Sequence, residues 1–143
     1  MGIKKQARTK VKGTVPYWKK KAWEQMSIYI RRKYADWRGY VKCITCGEVK
    51  QWKQMQGGHF IPGRRNSIIF DERNVHPQCV GCNMFKAGNP VKYFRFMQQT
   101  YGEDVIKELE EKNEINKQFT VEELIIIRDI YKQKKDEQSF NQT

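Results

Sequence analysis

The sequence predicts an α+β fold, a small cysteine-stapled β unit set between a long basic helix and a group of C-terminal helices. Two Cys-x2-Cys pairs, Cys43/Cys46 and Cys79/Cys82, use all four cysteines of the 143-residue chain. The stretch around them is rich in Gly, Asn and His and holds only short β-prone pieces, near residues 51–55 and 67–70. On both sides apolar residues return at three- and four-residue steps, the period of a helix packed on one face.

Residues 1–14 carry five Lys/Arg without apolar periodicity and are expected to be a disordered basic arm that orders on a partner. Over residues 15–39, Trp18, Ala22, Met26, Tyr29, Ile30 and Tyr34 mark one amphipathic helix, whose other face bears Lys19, Lys20, Lys21, Arg31, Arg32 and Lys33. The aromatics at helical spacing are expected to pack into a core rather than stack on bases. Residues 40–90 form the chemical core. Asn89-Pro90 reads as an N-cap with Pro at the first helical position, and Thr120-x-x-Glu123 as a capping box, so residues 91–138 are expected to be helices. Residues 139–143 should fray.

Lys and Arg number 28 against 16 acids, for a net charge of +12. The charge is lopsided: residues 1–42 hold 13 Lys/Arg and 2 acids, whereas residues 101–143 hold 7 and 11. A basic front half suits a polyanion, above all nucleic acid. A merely soluble basic protein and an anionic-membrane binder are the alternatives, and the aromatics interleaved with the charges argue against both. The N-terminus shows no apolar run of signal-peptide length, and Leu124–Ile127 is too short to span a bilayer. The expectation is a cytoplasmic protein with no membrane partner.

Paired Cys-x2-Cys turns let two thiolates from each turn converge on one tetrahedral zinc ion. Two disulfides are the competing reading, disfavoured in a reducing compartment. A thioredoxin-like role lacks the βαβ pattern it would need. Four thiolates leave no open position for water, so the zinc is expected to be structural.

Inside the staple lie Gly57-Gly58-His59-Phe60-Ile61-Pro62 and Asn74-Val75-His76-Pro77-Gln78-Cys79, with Asn83 directly after Cys82. In these segments the chain resembles the HNH, or ββα-metal, endonucleases: a His before an apolar residue and Pro, an Asn five residues before a Cys pair, and a His or Asn directly after it. Within them it looks most like the NinG/Rap recombination nucleases of lambdoid phages, a resemblance running from about Trp23 to Leu124 that includes Tyr93 and Tyr101-Gly102.

Phosphodiester hydrolysis needs a deprotonated water, a cation on the scissile phosphate and donors for the developing charge. Histidine titrates near working pH and can take the water proton. The resemblance implies His59 as that base, Asn74 holding its ring through a side-chain or backbone carbonyl, and Asn83 as an oxygen ligand for catalytic Mg²⁺ or Mn²⁺. Many relatives carry Asp or His directly before the base, where this chain has Gly58. His76, Asp71, His59 itself, or water and phosphate oxygens could complete the shell. His76 is read as an auxiliary metal ligand or phosphate contact, against a packed loop histidine. Arg64, Arg65 and Lys86 are expected phosphate contacts beside Lys19, Lys20, Arg31 and Arg32, while Asp71 and Glu72 should orient the loop through Arg73.

The resemblance implies a metal-dependent DNA endonuclease selective for branched recombination intermediates such as Holliday junctions and D-loops. A non-catalytic zinc module binding nucleic acid and a sequence-specific HNH nuclease are the other readings. Paired nicking would suit a homodimer, with Leu124, Ile125, Ile127, Ile130 and Tyr131 as a contact face or as core.

Overall fold

Helical periodicity over the basic N-terminal stretch translates into α1, Val15–Lys33. Thr14 caps it, its hydroxyl accepting from the backbone N–H of Tyr17 at 3.3 Å. The computed structural model describes residues 12–63 and 65–138. The expected arm and frayed tail therefore fall largely outside the described residues, as does Arg64. Lys12 to Thr14 do not belong to a free arm, since the indole N–H of Trp18 donates to the carbonyl of Lys12 at 2.9 Å. The helix also stops at Lys33, well before Gly39. Its last carbonyls are closed by Tyr34 and Ala35, and Asp36 then builds a turn by accepting from the backbone N–H of Arg38 and of Tyr40.

Two small antiparallel hairpins follow. Strand β1 (Tyr40–Lys42) pairs with β2 (Val49–Gln51), and β3 (Met55–His59) pairs with β4 (Val75–Cys79) in a register that sets Met55 opposite Cys79 and His59 opposite Val75. The first Cys pair lies in the tip of the β1–β2 hairpin, and the second begins at the last residue of β4. The β-prone residues 67–70 form no strand. Ile68 instead plugs the core at 0 % exposure. The carbonyls of Ile68 and Ile69 turn toward Asn74 and His59, so no ladder can form there.

After a five-residue π turn at Gly81–Phe85 come α2 (Pro90–Thr100), α3 (Glu103–Asn113) and α4 (Val121–Asp136). Thr120 caps α4 as expected, its hydroxyl accepting from the Glu123 N–H at 3.1 Å. Asn89 does precede α2 but makes no side-chain cap: its backbone is left-handed and its amide reaches the Cys82 sulfur at 3.6 Å.

The core has three parts. Val41, Cys43, Met55, Cys79 and Cys82 close around the thiols. Ile68, Tyr93, Met97, Ile106 and Leu109 join α2 and α3 to the loop, and Met26, Ile30, Val75 and Tyr131 join α1 and α4 to β4. On α4, Leu124 and Tyr131 are thus buried against the body, leaving Ile126 and Ile130 outside. The face offered as a dimer contact is therefore mostly core. No helix among the described residues is long and apolar enough to cross a membrane.

Candidate active site

The ligand atoms of Cys43, Cys46, Cys79 and Cys82 all lie within 4.8 Å of one another. The Cys46 and Cys79 sulfurs are 3.7 Å apart. A disulfide needs about 2.0 Å, whereas a tetrahedron with metal–sulfur bonds of about 2.3 Å has edges of about 3.8 Å. The donor set fits a metal such as zinc, held by four thiols with no position left for water. Around it Thr45 hydrogen-bonds Cys43, and the Cys82 N–H and the Asn89 amide point at sulfur. Such contacts orient the ligands.

His59 ends β3. Its ring stacks on Trp23 of α1, with centroids 4.5 Å apart and planes 24° from parallel. Its Nε2 lies 3.0 Å from the carbonyl oxygen of Ile69. A carbonyl only accepts, so Nε2 carries the hydrogen and Nδ1 keeps the lone pair. Burial pushes the His59 pKa below the ordinary value, Lys19 lowers it further, and the bond to Ile69 opposes them.

The ring-holding role expected of Asn74 therefore belongs to Ile69. Asn74, 0 % exposed, works on the loop instead. Its Oδ1 accepts from the Ile61 N–H and its Nδ2 donates to the Ile61 carbonyl, each at 2.9 Å, with a further bond to the Ile68 carbonyl. This fixes both ends of the loop that brings Ile69 to His59. Asn74 is thus a positioning residue at one remove.

Asn83 lies in the π turn directly after Cys82. Its Nδ2 donates to Oε1 of Gln56 at 2.7 Å, which leaves its Oδ1 as the free acceptor that a hard cation requires. It does not meet His59. Side chains alternate along a strand: a Cβ on Gly57 would touch Trp23 and Ser27, on the side where His59 stacks, whereas Gln56 and Gly58 face the other side. Asn83 packs on that second face.

Gly58 has its own explanation. A Cβ there would run into the carboxamide of Gln78. That carboxamide is wholly buried, with Nε2 donating to the Thr45 hydroxyl at 3.2 Å and to the Gly88 carbonyl at 2.9 Å. The space that an Asp or His would fill is occupied by a strut joining both Cys turns to the hairpin.

His76 departs from its reading as a metal ligand or phosphate contact. It is 0 % exposed, and both ring nitrogens are engaged, Nδ1 with the Tyr93 hydroxyl at 2.9 Å and Nε2 with the Tyr101 hydroxyl at 2.7 Å. Tyr93 spends its hydrogen on the Gly58 carbonyl. His76 Nδ1–H therefore donates to Tyr93 and Tyr93 to Gly58, and in the neutral imidazole Nε2 is left to accept from the Tyr101 hydroxyl. Burial, with a smaller contribution from Lys33, pushes its pKa down to about 3.

Asp71 is equally committed. One oxygen takes the Arg73 N–H and Nε, the other takes Arg73 and Lys112, and these partners outweigh burial to hold its pKa at about 2. Asp71 thus orients the loop through Arg73, while Glu72 pairs with Lys33 and Lys134.

The expected DNA-binding cations divide. Arg31 donates to the carbonyls of Ser27, Trp52 and Met55, and Arg32 reaches the Gln138 carbonyl and the Trp52 ring, so both brace the fold. Arg65 pairs with Glu114 at 3.0 Å on the surface. Lys20 and Lys86 are exposed. Lys19, one helical turn before Trp23, is held by Oδ1 of Asn66, whose amide is anchored on the Lys117 carbonyl. Sequence reasoning missed Ile69, Gln56 and Gln78, and gave Trp23 only a packing role. Ile69 acts through its backbone and has no side-chain signal, whereas Lys19 and Trp23 at i and i+4 were visible as a shared face.

The model of the family described as "Bacteriophage Lambda NinG protein" matches residues 2–139. The protein ninG of Escherichia phage 933W is 35 % identical over 119 residues, covering 82 % of this chain and 56 % of that protein. Those of Escherichia phage lambda and Salmonella phage P22 are each 34 % identical over 119 residues, covering 82 % of this chain and 55 % and 56 % of theirs. The chain spans about half the length of these relatives. No solved structure gives a significant match.

Proposed function

The chain belongs to the NinG family, and on that premise we propose that it is a metal-dependent DNA endonuclease of the HNH, ββα-metal type acting on branched DNA. The observation that carries the reading is the state of His59. Its Nε2–H is spent on the Ile69 carbonyl, Trp23 holds the ring plane, and burial keeps the ring neutral. Nδ1 is left with a lone pair that can take a proton from water.

Asn83 would hold the catalytic Mg²⁺ or Mn²⁺ through Oδ1, since its amide nitrogen is committed to Gln56. When bound, that ion supplies a Lewis acid for the phosphate and the leaving oxygen. Lys19 places an ammonium on the His59 side, where it attracts phosphate and resists charging of the ring. Lys20 and Lys86 add backbone affinity without base readout. The thiol cluster has no chemical step; it anchors Asn83 through Cys82.

A second reading, a non-catalytic zinc-stapled module that binds nucleic acid, is favoured by one observation: His59 and Asn83 lie toward opposite faces of the β3–β4 hairpin. One experiment separates the two. Purified protein is incubated with a four-way junction, a linear duplex and single-stranded DNA, with and without Mg²⁺. Metal-dependent nicking of the junction that His59→Ala abolishes supports the endonuclease; binding without nicking supports the module.

A further inference from the structure

Phe85 is the most exposed large apolar side chain among the described residues, at 85 %, with Met84 beside it at 63 %. The core clusters close without either, so their exposure serves no packing need. Nor is the turn that carries them loose. Cys82 is its second residue, and the N–H groups of Lys86, Gly88 and Asn89 bond back to the carbonyls of Gly81, Cys82 and Lys86, each at 2.9 Å. Ala87 and Gly88 adopt the positive φ values that fold the chain back after the tip. The Met84 sulfur also takes the Gln56 amide at 3.5 Å. The turn is a π turn, a form concentrated at functional sites, and Phe85 stands two residues after Asn83.

Charge narrows what this tip can meet. From Asn74 to Gly102 the chain contains no Asp or Glu, and its charged residues are Lys86, Lys92 and Arg95. A rigid aromatic plane in an all-cationic stretch fits a polyanion that also offers apolar planar faces. In continuous duplex DNA those faces are covered by neighbouring bases, whereas at a branch point the stack is interrupted. Aromatic side chains hold single bases by stacking, and apolar residues wedge between base steps.

We propose that Phe85, supported by Met84, is an apolar wedge that stacks on an unstacked base at a DNA branch point and so selects branched over linear DNA. It rests on the endonuclease reading, because Asn83 would then lie beside the branch.

The test uses the full zinc-loaded chain without added Mg²⁺, so that no cleavage intervenes. Affinity is measured for a four-way junction and a matched linear duplex, each carrying 2-aminopurine at the position of the branch. Wild type should prefer the junction and change the 2-aminopurine emission. Phe85→Ala should lose the emission change and lower the junction-to-duplex affinity ratio about tenfold or more, with zinc content and thermal midpoint unchanged. Phe85→Trp should restore both, and Lys86→Ala should weaken both substrates equally. A wild-type protein with no junction preference, or a Phe85→Ala protein that keeps the full ratio and emission change, overturns the wedge. So does a Phe85→Ala protein with unaltered DNA binding that loses self-association or binding to phosphatidylserine vesicles. Adding Mg²⁺ afterwards reports separately on the endonuclease reading: absence of nicking with the ratio behaving as expected removes that reading and leaves the wedge.

Discussion

The Nε2–H of His59 donates to the main-chain carbonyl of Ile69 across 3.0 Å, and this bond decides which nitrogen of the ring is basic. The partner is a backbone atom, so substituting the Ile69 side chain leaves it in place. The geometry is instead sensitive to Asn74, which holds the loop from Ile61 to Ile68.

His59→Ala should lower junction cleavage by about a hundred- to ten-thousand-fold while leaving zinc content and junction binding near wild type. Since burial and Lys19 both disfavour the charged ring, the acid limb of kcat/KM should fall at a pH below the ordinary histidine value. Lys19→Gln should move that limb upward. Cleavage at the wild-type rate by His59→Ala would falsify the endonuclease assignment.

Buried neutral His76 makes stability pH-dependent in a defined direction. Its pKa is about 3 in the folded chain and about 6.5 unfolded, so between those values the unfolded chain binds the extra proton. Stability is then fully present above about pH 6.5 and falls as pH drops, by up to about 1.4 kcal/mol per pH unit. His76→Gln should show a shallower loss of denaturation midpoint between pH 7 and pH 4. An equal slope in the variant would mean that another group sets the acid sensitivity.

Elemental analysis should find about one zinc per chain, and Cys79→Ser should remove it together with much of the thermal stability. The loss follows from the thiols joining the two hairpins and the π turn at one point. Two disulfides with no bound metal would defeat the assignment.

Gly58→Ala should destabilise by roughly 1–3 kcal/mol through overpacking against Gln78. Pairing it with Gln78→Ala, which empties the space, should recover part of that loss as a favourable coupling energy. Strictly additive effects in denaturant titrations would show that Gln78 is not the obstacle.

Neutralising Lys19 and Lys20 together should weaken DNA binding and reduce the slope of log affinity against log salt by up to about two. Arg31→Gln should act differently. It takes the guanidinium away from the carbonyls of Trp52 and Met55, so its effect should appear as a lowered melting temperature with little change in salt slope.

Read alone, the amino-acid order determined the features written in short spacings. The two Cys pairs, the capping box at Thr120, the apolar stripe of α1 and the placing of Asn83 beside Cys82 are all local relations between side-chain types. What only the tertiary structure decided are relations between segments far apart in the chain, and those made by backbone atoms. The carbonyl of Ile69 on His59 is one, the diversion of Arg31 from solvent to Trp52 and Met55 is another, and the tyrosine cage that turns His76 from an eligible ligand into a buried relay is a third. Each was invisible for the same reason: a side chain declares what it can bond, but burial and strand alternation, set by the packing of the whole chain, choose which partner it gets.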